Sequence, residues 1–433
     1  MNWQQLLSTK RFGLEQYHAV HADDRSEFQR DYDRLIFSAA FRRLQNKTQV
    51  FPLPTNIFVH NRLTHSLEVS CVGRSLGSFA AQQLGLEAGE AGSIVAAAAL
   101  AHDMGNPPFG HSGEMTISSF FSEGKGLKFK RLIDSENQWQ DLVRFEGNAN
   151  VFRLLTHQFK GRRQGGFALT YSTLASIVKY PFPSTEAEGN KNKFGFFCSE
   201  TESYLQIANE LGINSLDKNS NHFARHPFVF LVEAADDICY QLMDIEDAHK
   251  LKIISTDETK MLLLNFFDQK EKARRLEILN MLSDVNEQIA YLRSLAIGKL
   301  IRECVRVFVE KEDDLLSGSY NIPLIKNISP ECTEAYKICS ELATKKIYHS
   351  QEVIDIELTG YKIITTLLEY FTDAIFSPEK KYSQQLLMRI PAQYETALTT
   401  PYSKIQTILD YISGMTDVYA LDLYRKITGI NIP

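Results

Sequence analysis

Apolar residues along this chain recur at intervals of three and four much more often than in alternation, which is the spacing of one face of an α-helix. In DRSEFQRDYDRLIFSAAFRRLQNKTQV (24–50), Phe28, Tyr32, Leu35, Ile36, Ala39, Ala40 and Leu44 fall on one stripe, which predicts an amphipathic helix. The same spacing predicts helices over 63–84, 93–103, 200–210, 226–247, 255–267, 270–310, 331–346, 350–376 and 402–427. Alternating runs are nearly absent, so the expected class is all-α. Three stretches interrupt the pattern: FFSEGKGLKFKRLIDSENQ (120–138), GRRQGGF (161–167) and PFPSTEAEGNKNKFG (181–195). Rich in glycine, proline and charge, they are expected to be mobile surface loops within one large helical domain.

One segment breaks the pattern in another way. In IVAAAALAHDMGNPPFGHSGE (94–114) the run from Ile94 to Ala101 has no polar face, so a helix there is buried on every side and takes His102 and Asp103 inside with it. A buried carboxylate is costly unless it is paired or binds a metal. Upstream, HNRLTHSLEVS (60–70) offers His65; downstream, VFLVEAADDICYQLMDIEDA (229–248) sets Asp236 and Asp237 in a second apolar segment. Any one of these sites alone reads as a capped histidine or a buried ion pair. Together they bring imidazoles and carboxylates from three helices, a donor set that suits one divalent ion: Mn, Mg, Fe, Co or Zn, with no thiolate to force zinc. Beyond the buried run, Pro107 and Pro108 are expected to end the helix, and Gly105, Gly110 and Gly113 to let the backbone turn before His111 and Glu114.

Composition narrows the setting. A net charge of −6 and a pI near 6.0 argue against a protein that chiefly coats nucleic acid or anionic membrane. Six cysteines without a C-x-x-C pair read as reduced thiols. With no apolar run of membrane-spanning length and no signal-like start, a cytoplasmic enzyme or regulator without membrane association is expected. The expected organisation is an N-terminal arm and metal-bearing core over 1–250, with a C-terminal helical region, 251–433, packed on it as one continuous domain.

The order HNRLTHS, AHDMGNPPFGHSGE, EAADDICYQLMDIEDA resembles the HD-domain phosphohydrolases, and more narrowly the deoxyguanosine triphosphate triphosphohydrolase (dGTPase) family. FRRLQNKTQVFPL (41–53), RFEGNANVFRLLTH (144–157), LTYSTLASIVKYP (169–181) and YSKIQTILDYISGMTDVYALDLY (402–424) extend the resemblance over nearly the whole chain. It implies an HD-domain helical bundle with an additional C-terminal layer. It also implies His65, His102, Asp103 and Asp236 as metal ligands, and His111 with Glu114 as the catalytic pair, in which His111 either primes a water or protonates the leaving oxygen. Of the two aspartates Asp236 is the better match, because Tyr240 and Asp244 follow it on the same helix face. Asp237 then reads as a carboxylate beside the site. By the same resemblance Arg62, Lys179 and Asn148 match phosphate contacts, and Gln49, Tyr240 and Asp244 match residues around the deoxyribose. Tyr240 otherwise reads as a core tyrosine. Val418 stands where many relatives are expected to carry arginine.

The implied activity is metal-dependent hydrolysis of a deoxynucleoside triphosphate, dGTP foremost, to deoxynucleoside and tripolyphosphate, with Mn²⁺ or Mg²⁺ as the ion. A homo-oligomer, a hexamer among the options, and a nucleotide or single-stranded DNA effector are implied as well. The alternatives are another HD-domain phosphohydrolase, such as a phosphodiesterase or 5′-nucleotidase, and a nucleotide-binding or single-stranded-DNA-binding regulator with little turnover.

Overall fold

The computed structural model of the chain describes residues 1–16, 24–50, 59–187, 192–217, 220–348 and 350–430. Residues 51–53 of the FRRLQNKTQVFPL stretch and 188–191 of the third expected loop lie outside the described residues. Among the described residues the fold is all-α, without a strand beyond four isolated bridges. No helix among them is long and apolar enough to cross a membrane.

The centre is a hairpin of helices Arg62–Leu84 and Ala88–Ala101. From Ala96 to Ala101 every residue is fully buried, as a helix without a polar face requires. Small residues let the two backbones approach. A Cβ on Gly77 would fall 2.8 Å from the Ala91 carbonyl oxygen, and the Ser70 hydroxyl donates to the Ala96 carbonyl at 2.8 Å. Helix Pro227–Lys250 packs across this hairpin. It starts with a proline in its first turn, where the missing N–H costs nothing, and His226 accepts the Phe228 N–H at 3.1 Å. Burial lowers the His226 pKa to about 4, so the ring is neutral and able to accept that bond.

Among the described residues, apolar side chains gather into two clusters. The larger surrounds the central hairpin and reaches helices Val285–Glu310 and Pro330–Lys346. The other joins helix Gly110–Ser122 to helices Gln351–Phe376, Pro401–Ser413 and Asp417–Thr428. C-terminal helices therefore pack directly on the segment that carries His111 and Glu114.

Several sequence expectations need correction. The 24–50 stripe is divided into Glu27–Ile36, Ala39–Arg42 and a 3-10 turn Arg43–Asn46, because the Ser38 hydroxyl accepts the Phe41 N–H at 3.0 Å and starts a new helix. Caps also split 270–310, where Asp284 starts Val285–Glu310, and 402–427, where Thr416 starts Asp417–Thr428. A cap of this kind contributes about 1 kcal/mol, enough to divide a stripe whose apolar period continues across it.

The 120–138 stretch is no open loop. Helix Gly110–Ser122 runs into it, and Lys125–Leu132 and Glu136–Val143 follow as a 3-10 turn and a helix, with Phe120, Phe121, Phe129 and Ile133 buried. In the 181–195 stretch Phe194 is fully buried. The alanine helix ends at Ala101, in a turn over 102–105 that precedes the prolines. Gly110 takes a φ of 58°, whereas Gly105 and Gly113 keep ordinary φ and serve for space. A Cβ on either would meet backbone at 2.2 Å.

Candidate metal and hydrolytic site

Three chain segments converge at the end of the central hairpin. Asn61 accepts the Thr64 N–H at 3.0 Å and starts helix Arg62–Leu84, which fixes His65 in its first turn. His102 follows the last residue of the alanine helix, and Asp236 projects from the middle of Pro227–Lys250. His65 Nε2 stands 3.1 Å from Asp236 Oδ1, and His102 Nε2 stands 3.6 Å from the same oxygen. His102 Nδ1 donates to the Ala99 carbonyl at 2.6 Å, which holds the ring so that Nε2 faces Asp236.

These three side chains, each offering one ligand atom within 4.8 Å of the others, form a group able to hold an ion. Their chemistry fits one. Burial works against charge on His102, but Asp103 and Asp236 outweigh it and push its pKa up to about 9. Burial is likewise outweighed at Asp103, where Arg62 holds the carboxyl down to about 2, and at Asp236, which the two imidazoles hold well below the usual range. The carboxylates thus remain ionised and demand positive charge, which a divalent ion supplies as well as a proton.

Asp103, the fourth expected ligand, stands beside this group and outside it. Its Oδ1 is 3.7 Å from His102 Nε2, and its carboxylate accepts from Arg62 Nη1 at 2.6 Å and from Asn106 Nδ2 at 2.5 Å. Burial and the Asp236 charge push Asp237 up to about 7, and the Asp237 carbonyl accepts the Tyr336 hydroxyl at 3.1 Å.

A cavity of about 250 Å³ opens over His102, Asp103 and Asp236, and His111, Glu114, Asn148, Lys179 and Lys193 also line it. His111, in the first turn of Gly110–Ser122, places Nδ1 3.1 Å from Glu114 Oε2. That hydrogen bond raises the pKa of the exposed imidazole. Burial opposes charge on Glu114, yet the bond to His111 outweighs it and holds the carboxyl below its usual value. Glu114 Oε1 is buried and finds no partner among the described residues.

Of the expected phosphate contacts, Lys179 reaches into the cavity, with Nζ 3.0 Å from Glu233 Oε1; this carboxylate outweighs burial and raises the lysine pKa. Asn148 Nδ2 donates to Glu146 Oε1 at 2.8 Å. Arg62 is buried under the metal group, paired with Asp103 and pressed against Gly110, where a Cβ would sit 2.4 Å from Arg62 Nη2.

The expected deoxyribose set does not line this cavity. Gln49 Oε1 is buried without a partner among the described residues. Tyr240 is 36% exposed, so it is no core tyrosine, and it stacks on Tyr348 at 5.7 Å and 24°. The Tyr348 hydroxyl donates to Asp244 Oδ2 at 2.6 Å, and burial pushes the Asp244 carboxyl up to about 7.

Sequence reading missed Lys193, Glu146 and Tyr348. Lys193 Nζ is 2.6 Å from Glu146 Oε1 and 4.0 Å from Glu114 Oε2. It stood inside a presumed loop, although Phe194, Phe196 and Phe197 directly after it form an apolar anchor that a chain buries.

The chain is similar to known proteins along its whole length. Residues 62–186 match the HD domain family, and residues 327–426 match the phosphohydrolase-associated domain. The chain is 38% identical to a deoxyguanosinetriphosphate triphosphohydrolase-like protein of Pseudomonas aeruginosa and 36% identical to one of Synechocystis sp., over the full length of each pair. It is 30% identical to the deoxyguanosinetriphosphate triphosphohydrolase of Yersinia enterocolitica, over 92% of this chain and 93% of that protein.

Proposed function

The chain belongs to the HD-domain deoxyguanosinetriphosphate triphosphohydrolase family, and from that premise we propose that it hydrolyses deoxynucleoside triphosphates, dGTP foremost, to deoxynucleoside and tripolyphosphate. The observation that carries this reading is one cavity lined by His102 and Asp236, which His65 joins from behind, by the His111 and Glu114 pair, and by the cations Lys179 and Lys193.

His65, His102 and Asp236, with Asp103 alongside, would hold a divalent ion, which supplies charge neutralisation and water activation when bound. Lys179 and Lys193 would neutralise a polyphosphate, each at present balanced by a glutamate that substrate oxygens would replace. Arg62 keeps Asp103 ionised and oriented. Glu114 takes Nδ1 of His111, which leaves Nε2 to move a proton at the reacting centre, either from a water or onto the departing nucleoside oxygen. Tyr240 lies outside the cavity lining; stacked on Tyr348 one turn beyond Asp236, it would meet a sugar that extends past the cavity, with Asp244 and Gln49 as the sugar's polar partners.

Incubating the protein with each of the four dNTPs and with GTP, in Mn²⁺ or Mg²⁺, tests this reading. Turnover of dNTPs with dGTP preferred is the expected result; binding without turnover would make the protein a regulator.

A further inference from the structure

Residues 47 and 48 lie between two parts of the chain that are far apart in sequence. Lys47, fully buried, donates from Nζ to the carbonyl of Asn106 at 2.6 Å and to that of Ser413 at 2.8 Å. Asp417 accepts the Thr48 N–H on Oδ2 at 2.7 Å and the Phe109 N–H on Oδ1 at 2.9 Å. The C-terminal segment 413–417 thus holds the turn that leads from Asp103 to His111 at two points, Phe109 directly through Asp417 and Asn106 through the shared Lys47.

That turn needs gripping. Phe109 has a φ of 63°, the left-handed region that a bulky residue enters only when its surroundings impose it. Its ring is confined by helix Gln351–Phe376, because a Cβ on Gly360 would fall 2.7 Å from Phe109 Cγ. Phe109 is also the cap of helix Gly110–Ser122, whose first turns carry His111 and Glu114. Any relaxation at Phe109 re-aims that helix. Both Asp417 and Gly360 come from the part of the chain that matches the phosphohydrolase-associated domain.

We propose that Asp417 is a positioning residue for hydrolysis: seated on the amides of Thr48 and Phe109, its carboxylate holds the left-handed turn that aims His111 into the cavity. The proposal rests on the triphosphohydrolase reading given above. It assigns the associated region a part in the chemistry without contact to substrate, and it ties the segment bearing Gln49 to the catalytic helix through one side chain.

Asp417→Asn keeps the shape but places an amide NH₂ against one of two N–H donors. A double-mutant cycle with His111→Ala separates positioning from general support, since residues acting as a unit are not additive. With dGTP and Mn²⁺, Asp417→Asn is expected to lower kcat about 10-fold to 100-fold, as a displacement of the catalytic group by roughly 1 Å would. KM should stay within about threefold and metal content should be unchanged, as expected for a loss realised only in the transition state. In the His111→Ala background the same change should alter kcat by less than about twofold. Gly360→Ala, which suits its helix yet presses on the Phe109 ring, should give a fall with the same dependence on His111 and covers the case of an unstable Asp417 variant. Unchanged kcat in these variants, or equal losses with and without His111, would overturn the proposal while the functional reading stands. Absence of dNTP turnover by the unaltered protein would overturn both.

Discussion

His65 Nε2 and Asp236 Oδ1 lie 3.1 Å apart across 171 residues of chain, and His102 Nε2 shares the same aspartate oxygen at 3.6 Å. One oxygen is therefore common to both imidazoles. Asp236→Ala is expected to abolish retained metal and nearly all activity in a folded protein, since it removes the oxygen that both imidazoles share. Asp237→Ala should keep most of its metal. Elemental analysis after dialysis checks this, and equal metal loss from the two variants would contradict the assignment.

His111 and Glu114 form a pair whose direction can be tested. His111→Ala should lower the rate roughly 10² to 10⁴-fold with metal retained, the usual worth of a positioned acid or base. Glu114 raises the His111 pKa, so Glu114→Gln should move the His111 titration to lower pH, whichever role the imidazole takes. NMR titration of the His111 ring in the two proteins measures the shift directly; an unchanged value would show that the pairing is not maintained in solution.

How much of this was legible in the sequence depended on what held each part in place. The alanine run ending in His102 and Asp103 could be read because a helix without a polar face has only one environment, and the structure gives it that environment. Asp236 is the better match to the resembled family because Tyr240 and Asp244 share its helix face, a phase that the continuous helix from Pro227 to Lys250 preserves. Helix ends were harder: Ser38, Asp284 and Thr416 each divide an unbroken apolar stripe through one capping hydrogen bond, and the stripe alone does not record that. Lys193 was hidden because glycine and charge around it outweighed the phenylalanines that bury its flank. The left-handed turn at Phe109 carried no signal at all, since the groups that impose it come from Asp417 and Gly360, hundreds of residues away in sequence.

His60 supplies a prediction about stability. Its ring bonds Asp247 Oδ1 at 2.8 Å through Nδ1 and Glu68 Oε1 at 3.0 Å through Nε2, joining helices Pro227–Lys250 and Arg62–Leu84. Burial disfavours its charge, but the two carboxylates outweigh it and raise the pKa from 6.5 to about 9. A group raised in the folded state contributes stability fully below its unfolded pKa and loses it as pH rises through the folded value. The contribution, on the order of 3 kcal/mol, should therefore be complete below about pH 6.5 and fade toward pH 9 and above. Thermal melts of His60→Gln against the unaltered protein should show a wide gap at pH 6 that shrinks by pH 10; a gap independent of pH would refute the charged pairing.

The stacked pair of Tyr240 and Tyr348 bears on sugar selection. With Tyr348 tied to Asp244, the Tyr240 ring has a fixed place; on the proposed reading a deoxyribose lies against it, and a 2′-hydroxyl there would be left unpaired at a cost of about 1 to 3 kcal/mol. Tyr240→Ala should raise GTP turnover relative to dGTP, with bound metal and melting temperature little changed because the side chain is half-exposed. A lower melting temperature with an unchanged dGTP to GTP ratio would assign the ring a packing role only.

The bond that breaks decides the central claim. With dGTP and Mn²⁺ in ¹⁸O-labelled water, attack at the α-phosphorus expels the nucleoside oxygen and puts one solvent oxygen on the phosphate chain. Mass spectrometry of the first products should find ¹⁸O in intact tripolyphosphate and none in deoxyguanosine. Label in pyrophosphate or free phosphate, with dGMP or dGDP appearing first, would contradict the assignment of this cavity to triphosphohydrolysis.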